Sequence, residues 1–250
     1  MRFAVCVNQV LDVTAPAQIR GGALVLPEDR RVLDHYAACA LEAALTLRET
    51  HGDDTWSVEA VLIGPEEAGS ALRKALAMGA DSGTHLVTDT PLDDASTAAL
   101  LADQFHEDPP DAIWLGKQSQ DTDAGLVGGR LAERLGAAFV ANAVGAMVEE
   151  EALVIDRQGD RGIEVVEMPA PCVVTVSNNM NDPRTPNLRS IMAAKRKAVE
   201  TREVAPDLPL AVAISASAPP ARPPGRTLEG PPEAAAREVV RLLSDDLRLI

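Results

Sequence analysis

Apolar and polar positions along the first two thirds of the chain follow two alternating rhythms. Residues 3–7 form a short apolar run that stops at Asn8-Gln9, predicting a first strand. Beyond a loop carrying Gly21-Gly22, Leu33, Ala37, Leu41 and Leu45 recur four apart. That spacing places a Leu/Ala stripe on one face of a helix over residues 33–49. Strands are predicted over 57–63, 84–87 and 112–115. Between and after them lie helices over 66–78, 95–105 and 124–135. The helix over 66–78 has acidic residues in its first turn and Gly79 at its C-cap. In the last helix Val127, Leu131 and Leu135 share a face. Strands separated by helices pair parallel, with both sheet faces covered. The expected fold is therefore α/β, a doubly wound, mostly parallel sheet.

After Gly136 the pattern changes. Residues 139–148, 153–157, 162–167 and 172–176 read as strands, the second and third joined by the turn-like Gln158-Gly159-Asp160. With no helices between them, some must add antiparallel. Residues 204–230 are dense in Pro, Ala and Ser without periodicity and predict an extended arm. An amphipathic helix over 232–243 then groups Ala235, Val239 and Leu242. The expected division is residues 1–200 as an α/β domain of nucleotide-binding type and 201–250 as arm and terminal helix.

Charge narrows the function classes. With 23 Lys+Arg against 38 Asp+Glu, the net charge is −15, which repels phosphate backbones and argues against nucleic acid as a partner. Aromatics are only 2%, so stacking on single-stranded bases is disfavoured and the core must be largely aliphatic. Cys6, Cys39 and Cys172 form no CxxC, which suits a reducing compartment. The first residues lack a signal-peptide core, and no apolar run is long enough to span a membrane, so a cytoplasmic protein is expected.

Two segments carry candidate chemistry. The first follows the fourth α/β strand and runs from Gly116-Lys117-Gln118 through Gln120, Asp121, Thr122, Asp123, Ala124, Gly125, Leu126 and Val127 to Gly128. Ligands of open α/β sheets bind beyond the carboxyl ends of strands, and a helix beginning near Asp123 would offer N–H groups to a phosphate. Gly125 and Gly128 would let backbone approach a ligand. Equally, Asp121 or Asp123 reads as a simple N-cap and the glycines as helix–strand packing. The second segment is a turn-rich loop over 178–187, followed by Leu188, Ile191 and Met192 on one side of a short helix and the basic run Lys195-Arg196-Lys197. It reads either as a loop anchored by Leu188 on its own domain or as a protruding anchor with steering charges. His35, His51, His85 and His106 lack metal-ligand spacing, no GxSxG is present, and Cys6 reads as a core residue. No catalytic group and no metal site is expected.

Taken together, these segments resemble the β subunit of electron transfer flavoproteins. The resemblance rests on Asn181-Asp182-Pro183-Arg184 with Leu188, Ile191-Met192 and Lys195-Arg196-Lys197, and on the 75–81 segment, Gly116-Lys117-Gln118, the 40–45 segment and the opening strand. It runs in order from residue 2 to about 200. It implies an electron carrier subunit, not an enzyme, paired with an α subunit that holds most of the FAD. It implies a buried adenine nucleotide, usually AMP, bound by Cys6, Ile63 and the loop from Gln120 to Gly128 with Leu131 behind it. Tyr36 would lie near the flavin. Leu188, Ile191, Met192, Lys195, Arg196 and Lys197 would dock a flavoprotein dehydrogenase such as an acyl-CoA dehydrogenase.

The chain departs from the family pattern at several points. Asp34-His35-Tyr36-Ala37-Ala38 replaces Asn-Pro-Phe/Tyr-Asp-Glu, and Asn8 stands where Lys is common. Ala124 and Leu126 stand where the phosphate loop has Thr and Gln. Each hydrogen bond lost to a charged group removes roughly 1.5–3 kcal/mol, enough together to weaken or abolish the AMP binding that the resemblance implies. Thr185 and Ala193 replace Tyr and Lys beside the docking segment. Alternative readings are a bifurcating-type β subunit with its own FAD, and a universal-stress-like nucleotide-binding module.

Overall fold

The computed structural model of the protein describes residues 1–14, 18–25, 30–53, 55–150 and 152–206. Beyond these it describes residues 211, 214–215, 217, 220–222, 224–225, 227–246 and 248–249. The chain divides into two compact units, Met1–Ser215 and Ala216–Ile250.

The first unit is built on one nine-stranded sheet. Its first strand, β1 (Arg2–Val7), pairs parallel with β6 (Ser57–Gly64) on one side and with β8 (Ala112–Gly116) on the other. Beyond β6 lie β7 (Ser82–Val87) and β13 (Val199–Glu203), both parallel to their neighbours. Beyond β8 lie β12 (Cys172–Val176) and β9 (Ala138–Glu149), again parallel. The sheet ends in an antiparallel wing, β10 (Ala152–Gly159) on β9 and β11 (Gly162–Met168) on β10. The order β11-β10-β9-β12-β8-β1-β6-β7-β13 puts the reversal of winding between β1 and β8. Two short antiparallel pairs lie outside it: β2 (Gln9–Leu11) with β5 (Arg31–Leu33), and β3 (Gln18–Arg20) with β4 (Ala23–Val25). Gly21 and Gly22 make the turn between β3 and β4 with φ of 60° and 80°, the left-handed pair a type I′ hairpin needs.

Both faces of the sheet's parallel centre are covered, whereas the antiparallel wing leaves Ile163 and Val165 exposed. Phe3, Val5 and Val7 point to the face under α1 (His35–His51) and α2 (Gly69–Met78). Ala4 and Cys6 point to the opposite face, under α3 (Asp94–Phe105) and α4 (Val127–Leu135). The few aromatics are concentrated: Phe3 meets Trp56 and Trp114 edge-on, at centroid distances of 5.5 and 5.9 Å.

Several details differ from the sequence expectation, among them the short pairs β2–β5 and β3–β4 where a loop is expected. Helix α1 begins at His35, because the buried Asp34 carboxylate caps it, accepting from Tyr36 N at 2.7 Å. Helix α4 begins at Val127, three residues later than the periodicity predicts. Asp123 adopts φ of 55°, and the Ser119 hydroxyl bonds Asp121, so local side-chain bonding holds the loop out of the helix. Strand β13 has no counterpart in the sequence expectation. Its five residues are mostly polar and exposed at the sheet edge, and carry no hydrophobic alternation.

In the second unit α6 (Pro232–Arg241) opens with Pro at its first turn and runs into a short π-helical turn, Leu242–Asp246. Arg241 pairs with Glu238 and Asp246. Much of the stretch expected to form an extended arm lies outside the described residues. No helix among the described residues is long and apolar enough to cross a membrane.

Candidate nucleotide cleft and docking helix

A cleft of about 320 Å³ opens at the carboxyl ends of β1, β6 and β8, where the winding reverses. Ligand sites of open α/β sheets lie at this position. The cleft floor includes Cys6 and Ile63, and its wall Thr122, Ala124, Gly125, Val127 and Gly128. The other expected loop residues lie elsewhere. Gln120 turns toward α1, accepting from His35 N at 3.2 Å and donating its own N–H to Asp34 at 2.8 Å. Asp121 is exposed and accepts from the Ser119 hydroxyl, and Asp123 accepts from Gln118 Nε2 at 2.7 Å. Leu126 faces a separate open groove beside Arg130, Glu133 and Phe139, and Leu131 is buried in the core beneath the cleft.

Neither Asp121 nor Asp123 caps α4, contrary to one expectation. Its N-cap position is Leu126, which has no capping side chain of its own. The N–H of Leu126 is instead met by Asp94 of α3, whose Oδ2 accepts at 3.1 Å. Asp93, Asp94, Thr97 and Leu101 of this neighbouring element line the cleft, as does Gln9, and none of them is among the residues the sequence singles out. The rule that ligands gather at strand carboxyl ends would have pointed to the loop after β7 as well.

The glycines of the loop serve packing. A Cβ at Gly128 would run into Thr175 Cγ2 on β12 and approach Phe139, and one at Gly125 would lie 2.7 Å from the Lys117 carbonyl oxygen. Gly128→Ala is expected to destabilise the protein by about 1–2 kcal/mol, because α4 must lift off the sheet. Urea denaturation checks this; an unchanged midpoint would mean the helix yields freely. Burial pushes the Cys6 thiol well above its ordinary value, so it stays protonated and acts as a small apolar residue. Tyr36, in the first turn of α1, is half-buried with Lys117 Nζ 5.9 Å from its ring centroid.

The second segment is a clamped loop ending in an exposed helix. Arg184 donates to both oxygens of Glu42 at 2.8 and 2.9 Å and to both oxygens of Glu49 at 2.6 and 2.9 Å. Asn181 Nδ2 adds a bond to the Cys39 carbonyl at 3.0 Å. Burial would raise the Glu42 carboxyl, but its hydrogen bonds to Arg184 more than offset this and hold it below its ordinary value. Arg184 likewise lowers Glu49. Beyond the clamp, α5 (Leu188–Ala194) is capped by Asn187, which accepts from Ser190 N at 2.9 Å. Leu188, Ile191 and Met192 are 77%, 44% and 54% exposed. Leu188 therefore does not anchor the loop on its own domain. The basic run divides: Lys195 and Arg196 are exposed, whereas Lys197 Nζ donates to the Leu76 and Ala80 carbonyls at the end of α2, at 3.0 and 2.5 Å. Burial lowers the Lys197 ammonium, consistent with that internal position.

The fold defines a doubly wound α/β protein with a cleft at its switch point and an exposed apolar face on α5. The family model of the electron transfer flavoprotein domain matches residues 23–207. Among similar proteins is the electron transfer flavoprotein subunit beta of Syntrophomonas wolfei, 29% identical over 249 residues, covering 100% of this chain and 98% of that one. That of Bradyrhizobium diazoefficiens is 31% identical over 207 residues, covering 82% of each chain. That of Bacillus subtilis is 28% identical over 261 aligned positions, spanning 100% of both. The chain belongs to the electron transfer flavoprotein β-subunit family.

Proposed function

We propose that this chain is the β subunit of a heterodimeric electron transfer flavoprotein, supporting an FAD held mainly by an α subunit and docking a flavoprotein dehydrogenase through α5. The observation that carries the docking role is the apolar triad on α5, left exposed by a loop that is itself clamped by four charged hydrogen bonds. An apolar group held rigidly in water costs little ordering entropy when a partner covers it. Lys195 and Arg196, exposed in a chain of net charge −15, would steer a partner's acidic patch. FAD, when bound, would supply the one-electron redox chemistry. Tyr36 is the residue of this chain we place nearest the flavin.

The cleft argues for an FAD housed mainly outside this chain. At about 320 Å³ it lies at the small end of the roughly 300–1,000 Å³ typical of ligand pockets. Among its described lining residues there is no Lys or Arg to meet a pyrophosphate. The residues present do not fit a whole FAD, which disfavours the bifurcating alternative. The test is co-purification from the native host, with nucleotides quantified after heat release. A heterodimer with a flavinylated α subunit and a single FAD is expected. Two FAD molecules would favour the bifurcating reading, and a flavin-free homo-oligomer would overturn the electron-carrier reading.

A further inference from the structure

We propose that Asp94 acts as a built-in anion at the cleft, so that this chain rejects AMP, the nucleotide the family resemblance places there. The inference rests on reading the β1/β8 cleft as the family's nucleotide position. A 5′-monophosphate brings a doubly charged group, which proteins hold with cations or with unpaired N–H groups at a helix start. Among its described residues the cleft has no cation to offer. What remains is the opening turn of α4, whose first N–H groups have no partner inside the helix.

That turn already has a carboxylate beside it. Asp94 Oδ2 accepts from Leu126 N at 3.1 Å, and Asp93 lines the same wall. A phosphate entering there would displace one carboxylate and face two. Arg130, in the first turn of α4, lines the separate groove and not this cleft. Asn8 is uncharged, and its Nδ2 donates to Asp34 and Ser119 at 3.1 and 3.3 Å. Ala124 and Leu126 have no polar side-chain atoms, and Lys117 directs its ammonium to the Tyr36 ring. The nucleotide is therefore excluded by charge as well as by lost hydrogen bonds. In effect the protein supplies its own anion at the N-cap of α4, where Asp94 meets the Leu126 N–H.

The decisive experiment measures AMP in the purified complex and titrates AMP by calorimetry into wild type, Asp94→Asn and Asp94→Ser. Wild type is expected to carry FAD with no more than trace AMP. Asp94→Asn keeps an oxygen for Leu126 N and removes the charge, so AMP should bind at least about tenfold more tightly. Asp94→Ser serves as a second variant should the amide perturb folding. Stoichiometric AMP in the wild-type complex, or no gain in either folded variant, overturns the proposal. FAD content reports separately on the electron-carrier reading, and the wild-type-to-variant AMP comparison stands whether or not FAD is bound.

Discussion

Replacing Leu188 with Ala is expected, on the docking role proposed for α5, to slow electron acceptance from a partner dehydrogenase by roughly thirtyfold at subsaturating partner concentration. The side chain is 77% exposed in this chain alone, so nearly all of its surface is available to a partner. Burying a leucine fully is worth about 1.5–3 kcal/mol, and truncation to Ala forfeits most of it, about 2 kcal/mol. Because Leu188 contributes so little to its own fold, the urea midpoint and the flavin spectrum should not move. Leu188→Met, which keeps the volume, should retain most of the rate. Stopped-flow reduction of the proposed heterodimer by a partner dehydrogenase distinguishes these outcomes. Unchanged kinetics in Leu188→Ala would remove α5 as the docking element.

Arg184→Ala is expected to act on both stability and docking. The guanidinium bridges Glu42 and Glu49, and the Glu42 side chain is only 12% exposed. Removing one partner of a fully buried pair costs about 3–5 kcal/mol. Arg184 is one-third exposed and Glu49 about half, so solvent screening reduces the expectation to about 2–3 kcal/mol. The loop would then lose its main tether to α1, and transfer would slow although α5 itself is unaltered. Arg184→Lys should recover only part of either effect, because an ammonium cannot fork across two carboxylates. If transfer is normal in Arg184→Ala while stability falls, the clamp has no part in presenting α5.

The same clamp sets an acid limit. Glu42 and Glu49 both titrate below their ordinary values in the folded protein. A carboxylate lowered by folding contributes in full above its unfolded pKa, about 4.3, and loses that contribution as pH falls through the lower folded value. The stability difference between wild type and Arg184→Ala should therefore be constant from neutral pH to about 5 and shrink below about 4.3. Urea melts at several pH values test this; a difference that already fades near neutrality would contradict it.

Much of the scaffold is legible in the sequence because its signals are local. The apolar run at residues 3–7, the four-residue spacing of Leu33, Ala37, Leu41 and Leu45, and Gly79 after α2 each depend on neighbours a few residues away. The antiparallel wing is legible for the same reason: three β runs follow one another with no helix between. Strand β13 is not, since a polar edge strand is defined by its pairing with β7 and not by its own pattern. The start of α4 is equally hidden, because Asp, Ser and Thr suit a cap and a side-chain-bonded loop alike.

Periodicity and turn chemistry are properties of short stretches, so the class of fold, the order of most elements and the positions of the two candidate segments follow from the chain's own pattern. What those segments do follows from contacts between distant parts of the chain. Asp94 reaches Leu126 across 32 residues, Arg184 reaches Glu42 across 142, and Lys197 reaches Leu76 across 121. Such pairs arise when folding brings distant segments side by side, and a charge has the same identity in the sequence whether it faces a partner or caps a helix. Burial and pairing, which the chain acquires only on folding, separate the exposed side chain of Leu188 from the internal cap at Lys197.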